Sequence, residues 1–205
     1  MLYSIDNLFP TPIYVSSNHH NMCQILRNQA INLDPNKWIV NNTNNPEDYY
    51  ASDNHVLSEP NNKGINSIIV KHVNTFVCDI LHYDIPDGCY FDIVDSWFTK
   101  TNKDIDTVWH NHSFAMVCGI LCLDNIGWTE FRTRYNPHKF FDFNIKEANH
   151  YTSGTYNIPS KQGTLLLWEA DLEHRAVTDD LRYSLAFNVI PKGNLSNRIT
   201  SRLSI

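Results

Sequence analysis

Gly163 to Asn188, GTLLLWEADLEHRAVTDDLRYSLAFN, is the stretch from which the rest of this chain can be read. Its apolar run, Gly163 to Trp168, predicts a buried strand. A short acidic turn follows, then His174, and eight residues later Arg182 opens a second strongly β segment, Arg182 to Ile190. Strand side chains alternate, so Arg182 and Ser184 share one face, turned inward. A buried guanidinium needs an anionic partner, because an unpaired buried charge is expensive. A dicarboxylate ligand can supply it by a bidentate contact, with the Ser184 hydroxyl as a further donor. The bland alternative pairs Arg182 with Asp179, Asp180 or Glu173 at the surface.

Upstream lies a second candidate, Trp109-His110-Asn111-His112. In an extended segment His110 and His112 project to the same side, where both can reach one metal ion. His174 stands far away in sequence, yet a β sandwich brings strand ends together. Imidazoles with an open coordination position suit Fe(II) or Zn(II). Any one of the ten histidines would carry little weight alone; the weight comes from the combination with Arg182.

Around these candidates, Cys89 to Lys100, Ala115 to Asp124 and Thr129 to Tyr135 are short, β-branched and aromatic, and bounded by turn residues. They read as further strands of an all-β core. Phe140 to Tyr156 is ambiguous, and Asn136 to Pro159 is long enough to be a lid or substrate loop or a mere insertion. Ahead of the strands, Gly64 to Leu81 repeats apolar residues at three- and four-residue steps and predicts a helix, capped by Asn61 or Asn62. Asn21 to Leu33 predicts another, with Cys23, Ile25, Leu26 and Ala30 partly on one face. Leu8 to Val15 predicts an opening strand, and Asp34 to Pro60 a polar, Asn-rich surface loop with short extended pieces. The expected architecture is mainly β with α: a jelly-roll core with N-terminal flanking helices.

The 205 residues suit one domain, 1–205, with a helical and loop flank at 16–87 and the β core at 88–191. A hydrophobic fraction of 42% with generous aromatic content argues against disorder. A formal charge of −6 argues against a protein that coats nucleic acid. No apolar stretch approaches a membrane span, and the first fifteen residues have no basic start, so they do not read as a signal peptide. Five cysteines, an odd number without a CxxC pair, read as reduced thiols in a cytoplasmic compartment.

With these residues in place, the chain resembles the 2-oxoglutarate/Fe(II)-dependent oxygenases. Within them it looks most like uncharacterised oxygenases of bacteria and tailed phages, which would place a phage-encoded form in the host cytoplasm. LFPTPIYV resembles the opening strand. SWFTKT with WHNHSFAMVCGILCL resembles the metal-binding segment, and GTLLLWEADLEHRAV with RYSLAFN the closing strands. The resemblance implies a double-stranded β-helix, with His110 and His174 as Fe(II) ligands. It further implies that Arg182, with Ser184 beside it, binds the distal carboxylate of 2-oxoglutarate as cosubstrate. The expected reaction is hydroxylation, with release of succinate and CO2.

Where the wider superfamily has Asp or Glu, two residues after the first histidine, this chain has His112. Four arrangements follow: three histidine ligands, only two protein ligands with His112 turned away, a carboxylate from elsewhere such as Glu130, or a register in which His112 is the first ligand. We take all three histidines to be near the metal. Trp97, Trp109, Tyr135 and Trp168 are candidates for the cavity wall, each equally explicable as core packing. Two other classes remain. One is another mononuclear metalloenzyme, a three-histidine dioxygenase or a zinc hydrolase with Glu130 or Glu169 as base. The other is a non-catalytic jelly-roll module for carbohydrate binding or phage structure. Arg182 separates the first from the oxygenase, since a zinc hydrolase has no use for it. The substrate, a small molecule or a peptide side chain, and the oligomeric state are not written in the sequence.

Overall fold

The computed structural model describes residues 10–40, 49–53, 55–132, 146, 147, 149 and 152–195. Two antiparallel sheets face each other as a double-stranded β-helix. The larger is built from β1 (Tyr14–Ser16), β2 (Ile39–Val40), β3 (Tyr49–Ala51), β4 (Tyr90–Thr101), β5 (Val117–Cys122), β8 (Leu165–Glu169) and β10 (Arg182–Lys192), in the order β1-β8-β5-β10-β4-β3-β2. The smaller has β6 (Trp128–Arg132), β7 (Thr155–Pro159) and β9 (His174–Val177), in the order β7-β6-β9.

Strand β10 shows why the layers form. Leu185, Phe187 and Val189 are fully buried on one face, and Arg182 and Ser184 are buried on the other. The first face meets the helices α1 (His20–Ile31) and α2 (Lys63–Asn74), packing with Leu26, Ile69, Val73 and Phe76. Each such side chain contributes about 1.5–3 kcal/mol of burial. The second face meets the smaller sheet, where Cys118, Ile120, Leu166 and Trp168 pack against Phe131. Gly119 on β5 has no room for a side chain: a Cβ there would overlap the Phe187 ring and Leu167.

Several expectations are revised. The opening strand is confined to Tyr14–Ser16, and Leu8 and Phe9 lie outside the described residues. In α1 it is Met22, Cys23, Leu26 and Ala30 that face inward, while Ile25 is half exposed. The short extended pieces expected within the loop 34–60 are there as β2 and β3, and what the sequence did not show is that β3 pairs with the β4 edge. The second helix is regular only to Asn74 and continues as a π-helix, Thr75–Ile80. The wider turn keeps Phe76 and Val77 fully buried but rotates Ile80 out to half exposure. Asn62 precedes α2 without capping it. Its buried amide donates to Val56 O at 2.8 Å and exchanges two hydrogen bonds with Gln29, tying the three segments together.

Candidate metal centre

His174 opens β9, opposite Phe131 of β6. Along the free edge of β9 runs the segment 105–112, which touches it at Asp106↔Val177 and His110↔His174. His110 and His174 exchange both backbone hydrogen bonds, 3.1 and 2.9 Å, so they are direct cross-strand neighbours. The chain then leaves β9, and His112 N–H donates to Ala170 O at 2.9 Å. The pairing thus ends between the two histidines, yet the HxH spacing still delivers both rings to one place. One ligand nitrogen from each of His110, His112 and His174 lies within 4.8 Å of the others. Among the described residues this is the only group of three or more potential ligands.

Each imidazole is anchored through Nδ1. His110 Nδ1 donates to Val108 O at 2.8 Å and His174 Nδ1 to Leu172 O at 3.0 Å. His112 Nδ1 donates to Asn188 Oδ1 at 2.6 Å. A carbonyl oxygen only accepts, so each Nδ1 carries a proton, and in the neutral form of each ring Nε2 is the nitrogen that keeps its lone pair. Burial, then the neighbouring His110 and His112, push the His174 pKa down to about 3, against the pull of Leu172 O. His112 is also lowered, by burial first and His110 second. Neutral rings with free Nε2 lone pairs are the form a metal ion needs, so the donor set fits a divalent metal with nitrogen ligands and open positions.

The surrounding walls are aromatic. Trp168 meets His174 edge-on at 4.7 Å between centroids, and Trp97 stacks on His112 at 5.9 Å. Both line the cavity that holds the histidines, together with Thr99, Thr129 and Ser184. Ser184 Oγ is hydrogen-bonded to Thr99 Oγ1. Arg182 is 1% exposed and lies behind Thr129, with 3.4 Å contacts to Thr129 Oγ1 and Trp128 O. The carboxylates near it in sequence have other donors: Arg132 for Glu173, the Gly127 N–H for Asp179, the Leu181 N–H for Asp180.

Other candidates fall elsewhere. Glu130 accepts from Arg175 Nε at 2.6 Å and is not in the histidine cluster. Glu169 accepts from the Tyr83 hydroxyl. Trp109 turns from the cavity and lies between the guanidinium groups of Arg132 and Arg175, each 4.9 Å from the ring centre. With Glu173, Glu130 and Asp106 these arginines brace the histidine-bearing segment against β6 and β9. Tyr135 lies outside the described residues, as does most of 136–151, so the lid expectation does too; the end of that stretch is strand β7. Asn188 was not singled out from sequence, although the period-two series Arg182, Ser184, Ala186, Asn188 points to it.

No protein-family model and no curated protein matches this chain. Solved structures do. An oxidoreductase of the 2OG-Fe(II) oxygenase family from Burkholderia pseudomallei is 13% identical, with 86% of this chain and 83% of that one covered at a TM-score of 0.58. A Pseudomonas putida prolyl-4-hydroxylase is 10% identical over 87% and 92%, at 0.59. HygX from Streptomyces hygroscopicus, solved with nickel, 2-oxoglutarate and hygromycin B bound, is 12% identical over 87% and 82%, at 0.54. This chain shares their fold.

Proposed function

We propose that this protein is an Fe(II)- and 2-oxoglutarate-dependent oxygenase that oxidises a substrate still to be identified. The observation that supports the reading is one cavity in which three imidazoles converge beside the Thr99, Ser184 and Thr129 hydroxyls, with Arg182 buried behind Thr129. The shared fold supports it, since HygX of that fold was solved with nickel and 2-oxoglutarate.

In this reading His110, His112 and His174 hold the iron through Nε2. Bound iron with 2-oxoglutarate supplies oxidative decarboxylation to succinate and CO2, coupled to oxidation of the substrate. Arg182 contributes positive charge behind the wall, and the Ser184 and Thr129 hydroxyls contribute hydrogen bonds to the distal carboxylate. Trp97 and Trp168 hold the rings and keep bulk water from that side of the cavity.

The test is anaerobic titration of Fe(II) and 2-oxoglutarate into the purified protein, following the weak visible charge-transfer band of the chelated complex. The expected result is a band absent from both His174→Ala and Arg182→Ala. Iron bound tightly with no band in the wild type would refute the reading. An all-nitrogen donor set equally suits catalytic zinc, and that result would favour a zinc enzyme. Arg182→Ala that retains full 2-oxoglutarate affinity would count against the oxygenase in the same way.

A further inference from the structure

The three imidazoles are not held alike. Those of His110 and His174 lean on carbonyl oxygens two residues back in their own backbone, Val108 O and Leu172 O. Such anchors come with the local chain path and no side-chain substitution removes them. His112 depends instead on a side chain 76 residues away, Asn188 Oδ1 at 2.6 Å. The same oxygen accepts from Cys118 Sγ at 3.5 Å, so it faces two donors, as a carboxamide oxygen should.

Backbone geometry aims this amide. Asn188 sits in the middle of β10, opposite Cys118 of β5 and Asp95 of β4. Pairing with β4 then skips a residue, because Val189 faces Ile93. The skipped residue, Val94, belongs to β4, while β10 keeps its register with β5 through Asn188 and Val189, so Asn188 stays on the same face as Ser184 and Ala186.

We propose that Asn188 is the positioning residue that makes His112 a metal ligand, by holding its proton on Nδ1 and so leaving Nε2 free. This rests on the three histidines being the metal ligands. Free neutral histidine favours the proton on Nε2, and which nitrogen binds metal is set by the hydrogen bond the other makes. With no acceptor at Asn188, the ring would present an N–H to the metal position. Asn188 therefore decides whether the site has three nitrogen ligands or two.

The first experiment needs no metal. In metal-free, 15N-labelled protein, long-range 1H–15N spectra should show His112 protonated on Nδ1, and in Asn188→Ala the proton should move to Nε2 while His110 and His174 keep theirs on Nδ1. Calorimetric titration with Co(II) should show affinity reduced about 10- to 100-fold in Asn188→Ala. Asn188→Asp, which retains an acceptor, should recover most of it. In a His112→Ala background, Asn188→Ala should have no further effect, whereas a merely structural role would lower affinity in both backgrounds. A wild-type His112 protonated on Nε2, an unchanged Co(II) affinity in Asn188→Ala, or an equal loss in the His112→Ala background would each overturn the proposal. Should Asn188→Ala fail to fold, the wild-type spectrum and Asn188→Asp still decide it. None of these readings involves 2-oxoglutarate, so a missing cosubstrate band refutes the oxygenase and leaves this proposal standing.

Discussion

Holding His174 neutral gives the metal-free protein a specific weakness to acid. The ring is 6% exposed, and burial beside two other imidazoles puts its pKa at about 3. In the unfolded chain the same ring titrates near its ordinary value of about 6.5. Between those values the unfolded chain binds a proton that the folded one refuses, so stability falls as the pH falls through that window. At pH 5 the unfolded ring is almost fully charged and the folded ring almost fully neutral. The loss relative to pH 8 is then about 2 kcal/mol from this residue, growing to about 4 kcal/mol near pH 3. Urea unfolding of chelator-treated protein at pH 8 and pH 5 measures it, with His174→Gln as the reference that lacks the titrating ring. The wild type should lose about 2 kcal/mol more than the variant over that interval. Equal losses in the two proteins would refute the argument, and a greater loss in the variant would reverse its sign.

Gly119→Ala forces a methyl group into Phe187 and Leu167 in the centre of the larger sheet. It should cost about 1–3 kcal/mol and lower the thermal midpoint accordingly; an unchanged midpoint would mean that the strands yield more freely than their packing implies. Phe114 is 99% exposed and its backbone is left-handed, φ 67°. Replacing it with Asn, which tolerates that conformation, should stabilise the protein by up to about 1 kcal/mol in urea titrations, because no packing is lost and strain is relieved.

The sequence made the long elements and the candidate histidines visible for physical reasons. Strands β4, β5, β8 and β10 carry apolar residues over several positions, and β5 and β8, buried on both sides, are almost continuously apolar. His110 and His112 stood out because two imidazoles two residues apart share a side. The pieces that escaped detection are those whose structure is imposed from outside. Segment 105–112 has no strand pattern and is extended because β9 offers it an edge. Strands β2 and β3, two and three residues long, are too short to show alternation, so the sequence shows them only as short extended pieces without bounds or partners. The π-helix after Asn74 has an apolar spacing that also fits an ordinary helix, and only packing against the sheet distinguishes the two. Asn188 is hidden for a related reason: its partner His112 lies on another segment, 76 residues away in sequence.

The reciprocal backbone bonds between His110 and His174 have a consequence for how this protein matures. Alternation has period two, so a slip of segment 105–112 by one residue along β9 would carry the His110 ring to the opposite side of the smaller sheet. Such a molecule would retain its outline, its helices and nearly all of its core, and spectroscopy of secondary structure would pass it as native. It could not take up a metal ion. Binding stoichiometry below one per chain in fresh preparations would therefore count mis-threaded molecules, and recovery after unfolding and refolding would mark the shortfall as an error of assembly rather than damage.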